Sequence, residues 1–159
     1  MIVDLGCGDS KRGDIGIDRV PLPGVDLVVN LGFEPFPFED NTIDKFTAYD
    51  FLEHLPVSVW YHSNGEWQYH HPRIFLLREI YRCLKPGGEF YSQTPEKLNA
   101  WAQDPTHEAP PWVLDTWHYF TGGYGHGQPG DGYGIDFAFE NLQTHYNGPH
   151  LYVSVFKPR

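Results

Sequence analysis

Cysteine is nearly absent. Cys7 and Cys83 are the only two in 159 residues, and they lie far apart in no paired spacing, which excludes a disulfide framework and a Cys/His zinc module. Free thiols in a reducing cytoplasm are the expectation. No run of roughly 18 apolar residues occurs, the length that a membrane-spanning helix needs. The chain also enters the strand-like Ile2-Val3-Asp4-Leu5 at once, without a basic and then apolar leader, so neither a secretory signal nor a membrane partner is expected. Basic residues are scarce as well: 11 Lys and Arg stand against 21 Asp and Glu, giving a formal charge of −10. A surface of that sign repels polyphosphate, so nucleic acid is a disfavoured partner.

Aromatic residues are plentiful. At 16% of the chain they exceed what a small core readily absorbs, so some should line a pocket or an interface, which leaves room for a homodimer. The length suits one domain, residues 1–159, burying about 68–70% of the surface of the unfolded chain. No internal repeat and no linker divides it.

The elements alternate as in an α/β domain. Ile2 to Leu5 reads as a first strand and Ile15 to Asp18 as a second. Only Gly6 to Asp14, nine residues, separates them, whereas a crossover with a full helix takes at least about 10–12. The first crossover helix is therefore expected to be one turn or absent. Val25 to Asn30 and Ile43 to Tyr49 read as the third and fourth strands, bounded by Pro/Gly and Asp/Asn turn signals. Pro72 suits a first helical position, and Leu76, Leu77, Ile80 and Leu84 form an apolar stripe that Lys85-Pro86-Gly87-Gly88 ends. Glu89 to Thr94 and Leu151 to Phe156 read as later strands, and Phe137 to Tyr146 as an antiparallel partner of the last. Residues 56–71 and 95–134 read as irregular insertions, with the glycine-rich 122–134 as a mobile flap.

The chemistry begins at Asp4-Leu5-Gly6-Cys7-Gly8. A glycine turn at a strand's C-terminal edge lets a ligand sit against the backbone, and Asp18, ending the next strand, can accept two ribose hydroxyls. That pair describes a nucleoside site. A dinucleotide would need G-x-G-x-x-G opening a helix, but Lys11 stands at the third glycine position, which weakens a nicotinamide oxidoreductase reading.

Val3-Asp4-Leu5-Gly6-Cys7-Gly8, Gly16-Ile17-Asp18, Phe36-Pro37-Phe38-Glu39-Asp40-Asn41-Thr42-Ile43-Asp44, Phe51-Leu52-Glu53-His54-Leu55 and Leu84-Lys85-Pro86-Gly87-Gly88 follow one another along the chain. In that order they resemble the class I S-adenosylmethionine-dependent methyltransferases, over roughly residues 2 to 94. The segment from Gln103 to Phe120 further resembles minimal forms such as those in phage and environmental sequences. The resemblance implies a Rossmann-like sheet in the order 3-2-1-4-5-7-6 with the last strand antiparallel, the usual N-terminal helices being absent. It implies S-adenosylmethionine as cofactor, with S-adenosylhomocysteine as product. Gly6 and Gly8 would pack beneath the methionine part, Asp4, Cys7 and Asp9 would border that turn, and Asp18 with Arg19 would hold the ribose. Asn30-Leu31 would flank the adenine, and Tyr49 and Asp50 would meet the reactive sulfur.

His54, Asp104 and His107 are the candidate catalytic residues, each able to place or deprotonate an acceptor. As alternatives, His54 can serve as a helix-start packing residue and Asp104, before Pro105, as a turn former. Nine histidines invite a metal, but His70-His71 point apart on an extended segment and no H-E-x-x-H spacing occurs, so no metal is expected. The insertions, with Trp112, Trp117 and His118, are expected to roof the acceptor pocket. The expected activity is methyl transfer to a small-molecule or glycan acceptor. A catalytically silent cofactor-binding module is the competing reading.

Overall fold

A computed structural model describes residues 1–96, 101, 103–125, 127 and 132–159. Parts of the expected insertion 95–134, including much of the glycine-rich flap, lie outside the described residues. Four short strands open the chain: β1 (Ile2–Leu5), β2 (Ile15–Asp18), β3 (Leu27–Val28) and β4 (Ile43–Tyr49). Hairpin strands β5 (Val59–Ser63) and β6 (Glu66–His70), helix α1 (Pro72–Cys83) and strand β7 (Leu84–Pro95) follow. Helix α2 (Leu114–Phe120) and strands β8 (Glu140–Asn147) and β9 (His150–Phe156) complete it. The main sheet runs β3-β2-β1-β4-β7-β9-β8, and β5 and β6 pair apart from it. Ranked within the main sheet alone, that is the order 3-2-1-4-5-7-6; the hairpin only shifts the labels. β1 to β4 and β7 are parallel, while β9 runs antiparallel to both its neighbours.

No helix forms between β1 and β2. The backbone there turns instead on carboxylates: Asp4 accepts from the Arg12 amide at 2.8 Å and Asp14 from the Ile2 amide at 2.7 Å. Residues 19–26 and 29–42 also cross without a helix, and the same device recurs. Asp26 accepts from Gly16 N, Glu34 from Asn30 N, and Glu79 from Phe36 N, at 2.7 to 2.9 Å. Backbone donors removed from water need partners, and a chain poor in helices supplies them from side chains. Part of the acidic excess is thus structural.

One core lies on one sheet face. Val3, Leu5, Phe46, Ala48, Phe90, Val153 and Val155 meet Leu76, Leu77 and Ile80 of α1 and Trp117 and Phe120 of α2. Trp117 packs 6.0 Å from Phe90 and 5.3 Å from Trp112. Trp112 and Trp117 are wholly buried, so both belong to the core and not to a pocket roof, and His118 turns to the Tyr124 ring. At 150–250 Å² and about 25 cal/mol per Å², each indole contributes roughly 4–6 kcal/mol of burial before entropy is counted. The reverse face carries polar and aromatic groups. There Thr47 donates to Asp4 at 2.6 Å, Arg12 lies 4.1 Å above the Tyr49 ring, and Tyr49 meets Tyr91.

The segment 56–71, expected to be irregular, is the β5–β6 hairpin, turned by Asn64 (φ 51°) and Gly65 (φ 83°). Trp60 and Trp67 stand exposed on it. Among the described residues no helix is long and apolar enough to cross a membrane.

Candidate active site

β1 delivers the chain to Gly6, whose φ of +64° and closeness to Phe51 leave no room for a Cβ. The amides of Gly6 and Cys7 both donate to Ile17 O, at 2.8 and 3.3 Å, which ties the turn to β2. At the end of β2, Asp18 accepts from Gly8 N through one oxygen and from Val20 N through the other, both at 3.1 Å. Turn and carboxylate therefore form one rigid unit at the C-terminal edge of the sheet, where open α/β sheets bind ligands.

A cavity of about 640 Å³ opens there. Of the residues expected at a cofactor, Gly6, Asp18, Arg19, Asn30, Leu31 and Asp50 line it. Asp4, Cys7, Gly8, Asp9 and Tyr49 do not. Asp4 is buried under Arg12 and Thr47, and Tyr49 belongs to the reverse face because side chains alternate along β4. The Cys7 thiol faces Gly24 O at 3.5 Å; burial and the charges of Asp18 and Asp4 push its pKa up to about 11, which makes it a poor nucleophile. Gly8 acts through its backbone, and Asp9 is exposed. Phe33, Phe51, Leu55, Pro56, Thr106 and Glu108 also line the cavity; Phe51 and Leu55 belong to the Phe51–Leu55 motif, and nothing in the local sequence singles out the others.

A second cavity of about 530 Å³ adjoins the first, sharing Asp50 and His54 with it. Asp50 adopts a φ of +49°, tolerable for Asp. Its oxygens take Gln93 Nε2 at 2.9 Å and His150 Nε2 at 3.2 Å. The short 3-10 turn Leu52–His54 then carries Glu53 inward and His54 outward.

Residues 103–108 come back across this turn, with Glu108 N donating to Glu53 O at 2.8 Å. Arg73, at the start of α1, locks the arrangement: its guanidinium donates to the carbonyls of Leu55, Pro110 and Glu108 at 2.8, 2.8 and 3.2 Å. It also lies 5.1 Å above Trp112, whose indole N–H donates to Leu52 O at 2.9 Å. Burial lowers the Arg73 pKa to about 10.

His54 and the pair Asp104 and His107, distant in sequence, thus come together, and Glu53 joins them. His54 Nδ1 lies 3.3 Å from Thr106 O and 3.1 Å from Thr106 Oγ1. A carbonyl only accepts, so Nδ1 carries the proton and Nε2 the lone pair. Asp104 accepts from Thr106 N and Oγ1 at 2.8 and 2.7 Å and approaches His107 Nε2 at 3.4 Å. Asp104 is therefore the turn former that the Asp-Pro step suggests, and it also holds His107. Trp101 flanks the His107 ring at 5.0 Å.

Glu53 is 1% exposed. Burial first, then the charges of Asp50 and Asp104, push its pKa up to about 8. One carboxylate oxygen of Glu53 and Nδ1 of His107 are buried without a hydrogen-bond partner. Ligand atoms of Glu53, His54 and His107 lie within 4.8 Å of one another. Among the other described histidines, His150 lines the same cavity through its contact with Asp50, whereas His70 Nε2 bonds Gly32 O at 2.6 Å and His71 Nδ1 lies 3.4 Å from Val57 O.

Of the expected acceptor insertions, 56–71 contributes only Pro56 to either cavity, and the described part of 95–134 contributes Pro95 and residues 103–108 except Thr106 and Glu108 to the second cavity, those two lining the first. The chain beyond Glu108 turns into the core through Trp112.

The methyltransferase domain family model matches residues 15–92, about half the chain. No protein of curated function matches in sequence. Among solved structures, a SAM-dependent methyltransferase from Archaeoglobus fulgidus superposes with a TM-score of 0.65 at 14% identity, over 98% of this chain and 85% of that one. A putative methyltransferase from Haloferax volcanii, in complex with the Trm112 methyltransferase activator, gives 0.61 at 14% identity, over 99% and 82%. A SAM-dependent methyltransferase from Methanosarcina mazei gives 0.56 at 15% identity, over 99% and 92%. With the glycine turn, the Asp18 carboxylate and the sheet order all in place, the chain shares the fold of the class I methyltransferases and matches the methyltransferase domain family over residues 15–92, which implies S-adenosylmethionine as its cofactor.

Proposed function

We propose that the chain methylates a hydroxyl of a small molecule or glycan, with the cofactor in the 640 Å³ cavity and the acceptor in the 530 Å³ cavity beside it. The observation that carries this reading is the shared wall: Asp50 and His54 border both cavities, so a methyl group leaving one can enter the other. Asp18 would accept the ribose hydroxyls, Asn30 and Leu31 would flank the adenine, and the acidic mouth of Asp18, Asp50 and Glu108 suits a cationic sulfonium.

Methyl transfer is an in-line displacement in which the S–CH3 bond breaks as the O–CH3 bond forms and the sulfonium becomes a neutral thioether. Alignment and exclusion of water supply most of the acceleration. The hydroxyl proton has to leave, and the His54, Asp104 and His107 group stands where it can take it. A cavity of this size fits a sugar or a similar metabolite, and the charge of −10 disfavours nucleic acid.

Calorimetry with S-adenosylhomocysteine, followed by a labelled-methyl screen over hydroxylated metabolites and glycans, tests the reading. One molecule bound per chain, and label recovered in a hydroxyl acceptor only when His54 is intact, are expected. Label recovered in protein or nucleic acid would overturn the acceptor assignment.

A further inference from the structure

We propose that Glu53, His54 and His107 bind a first-row divalent cation, of the zinc or manganese kind, in the wall of the second cavity. The use that such a cation would have rests on the acceptor reading above; its binding rests on the following geometry alone.

Ligand atoms from these three side chains already lie within 4.8 Å of one another. A cation about 2.1 Å from each would draw them to roughly 3–3.5 Å apart, an adjustment within the reach of side-chain rotation. Two of the three residues hold a buried polar atom with no partner, Glu53 Oε2 and His107 Nδ1. Glu53 is 1% exposed and the His107 side chain 9%, so both atoms lie below the surface that bulk solvent wets. An orphaned carboxylate oxygen beside an orphaned imidazole nitrogen is costly in a protein interior, and a metal ion satisfies both at once.

The surrounding contacts are those that metal-bound histidines make. Each ring is held through its other nitrogen: His54 through Nδ1 on Thr106, and His107 through Nε2 facing Asp104 at 3.4 Å. The Thr106 carbonyl leaves the lone pair of His54 on Nε2, and Asp104 beside His107 Nε2 favours a lone pair on His107 Nδ1, the buried atom without a partner. Thr106 in turn donates to Asp104, linking the two supports. The nearby guanidinium of Arg73 is engaged by three main-chain carbonyls, whereas Asp50 and Asp104 add negative charge to the same cavity.

Two imidazoles and one carboxylate favour zinc, manganese, iron or cobalt over magnesium or calcium, which prefer oxygen ligands. Three protein ligands leave at least one position open. The cavity lies beside it, so an acceptor hydroxyl could occupy that position, have its pKa lowered by the ion and release its proton to water in the open cavity, with His54 and His107 then serving as ligands and not as the base. Sequence spacing conceals the set, since Glu53 and His54 are adjacent and His107 arrives from beyond α1 and β7.

The test is titration of chelator-treated protein with Zn2+, Mn2+ and Co2+, followed by calorimetry and, for Co2+, by visible absorption. One saturable site is expected, with affinity reduced at least tenfold in Glu53→Gln, His54→Ala and His107→Ala. His145→Ala, on the exposed ring that stacks on Tyr152, should bind as the parent does. Because Glu53→Gln could perturb folding, circular dichroism accompanies each variant, and His107→Ala, at the less buried position, decides if it fails. No saturable binding by the parent, or equal binding by folded His54→Ala and His107→Ala, overturns the proposal. S-Adenosylhomocysteine affinity, measured in parallel, separates the two readings: its loss in the parent would count against the cofactor site and leave the metal result standing. Methyl transfer undiminished after chelation would remove the cation from the reaction, leaving its binding to the titration and the transferase reading intact.

Discussion

The ring of Phe51 closes over Gly6 so tightly that a methyl group on Gly6 would lie 2.4 Å from it. The second residue after β4 thus presses on the turn that follows β1, and that contact forms part of the wall of the 640 Å³ cavity. Gly6→Ala meets two obstacles: this clash, and a φ of +64° that costs an alanine about 1–2 kcal/mol. A lowered thermal midpoint and a large loss of S-adenosylhomocysteine affinity are expected. Adding Phe51→Ala should restore part of the stability, since it removes the clash but not the strained dihedral. Full restoration would show that φ contributes nothing.

Asp18 has two duties, one to the protein and one to the ligand. Its carboxylate already accepts from Gly8 N and Val20 N, and the ribose hydroxyls would add to these. Asp18→Ala should lower S-adenosylhomocysteine affinity at least tenfold, since charge-assisted hydrogen bonds contribute roughly 1.5–3 kcal/mol each. Asp18→Asn retains an acceptor for the turn and should fall between. Calorimetry reads both.

Arg73 is expected to be irreplaceable by lysine. Three carbonyls from three positions meet one planar guanidinium, a fork that a single ammonium cannot reproduce. Arg73→Lys should lose about 3 kcal/mol, the worth of one to two such bonds, read as a lower urea midpoint. The accompanying looseness of residues 104–108 should raise KM for the acceptor.

Trp112 distinguishes a core indole from a pocket wall. Trp112→Phe keeps most of the burial but strands Leu52 O, which the indole N–H satisfies at 2.9 Å, at a cost of about 1–3 kcal/mol. Stability should fall while the acceptor KM of the folded variant stays unchanged. A selective rise in KM without loss of stability would return Trp112 to the pocket.

The parts of the fold governed by local chemistry are legible in the sequence. Nine residues between β1 and β2 leave no room for a helix, Pro72 and Pro86 bracket α1, and Gly6 and Asp18 sit where strand ends must place them. The hairpin is legible too in its Asn64-Gly65 step, the commonest signal for a type I′ turn, but the aromatic run around it obscures the period of two. What sequence does not convey is convergence. His54 and Thr106 stand 52 positions apart, and only the return of residues 103–108 over the turn after β4 joins them. Nor does an aromatic residue declare its environment: Trp112 and Trp117 fill the core while Trp60 and Trp67 face solvent.

Hydrogen exchange with and without S-adenosylhomocysteine tests the central claim, that the cofactor cavity is built jointly by the strand ends and the returning segment. Protection should rise at Gly6 to Gly8, at Asp18 to Val20 and at residues 104–108, because Thr106 and Glu108 line the same cavity as Gly6 and Asp18. The hairpin strands β5 and β6 should not change. Unaltered exchange at Gly6 to Gly8 and Asp18 to Val20 under saturating ligand, or protection confined to the hairpin, would contradict the account.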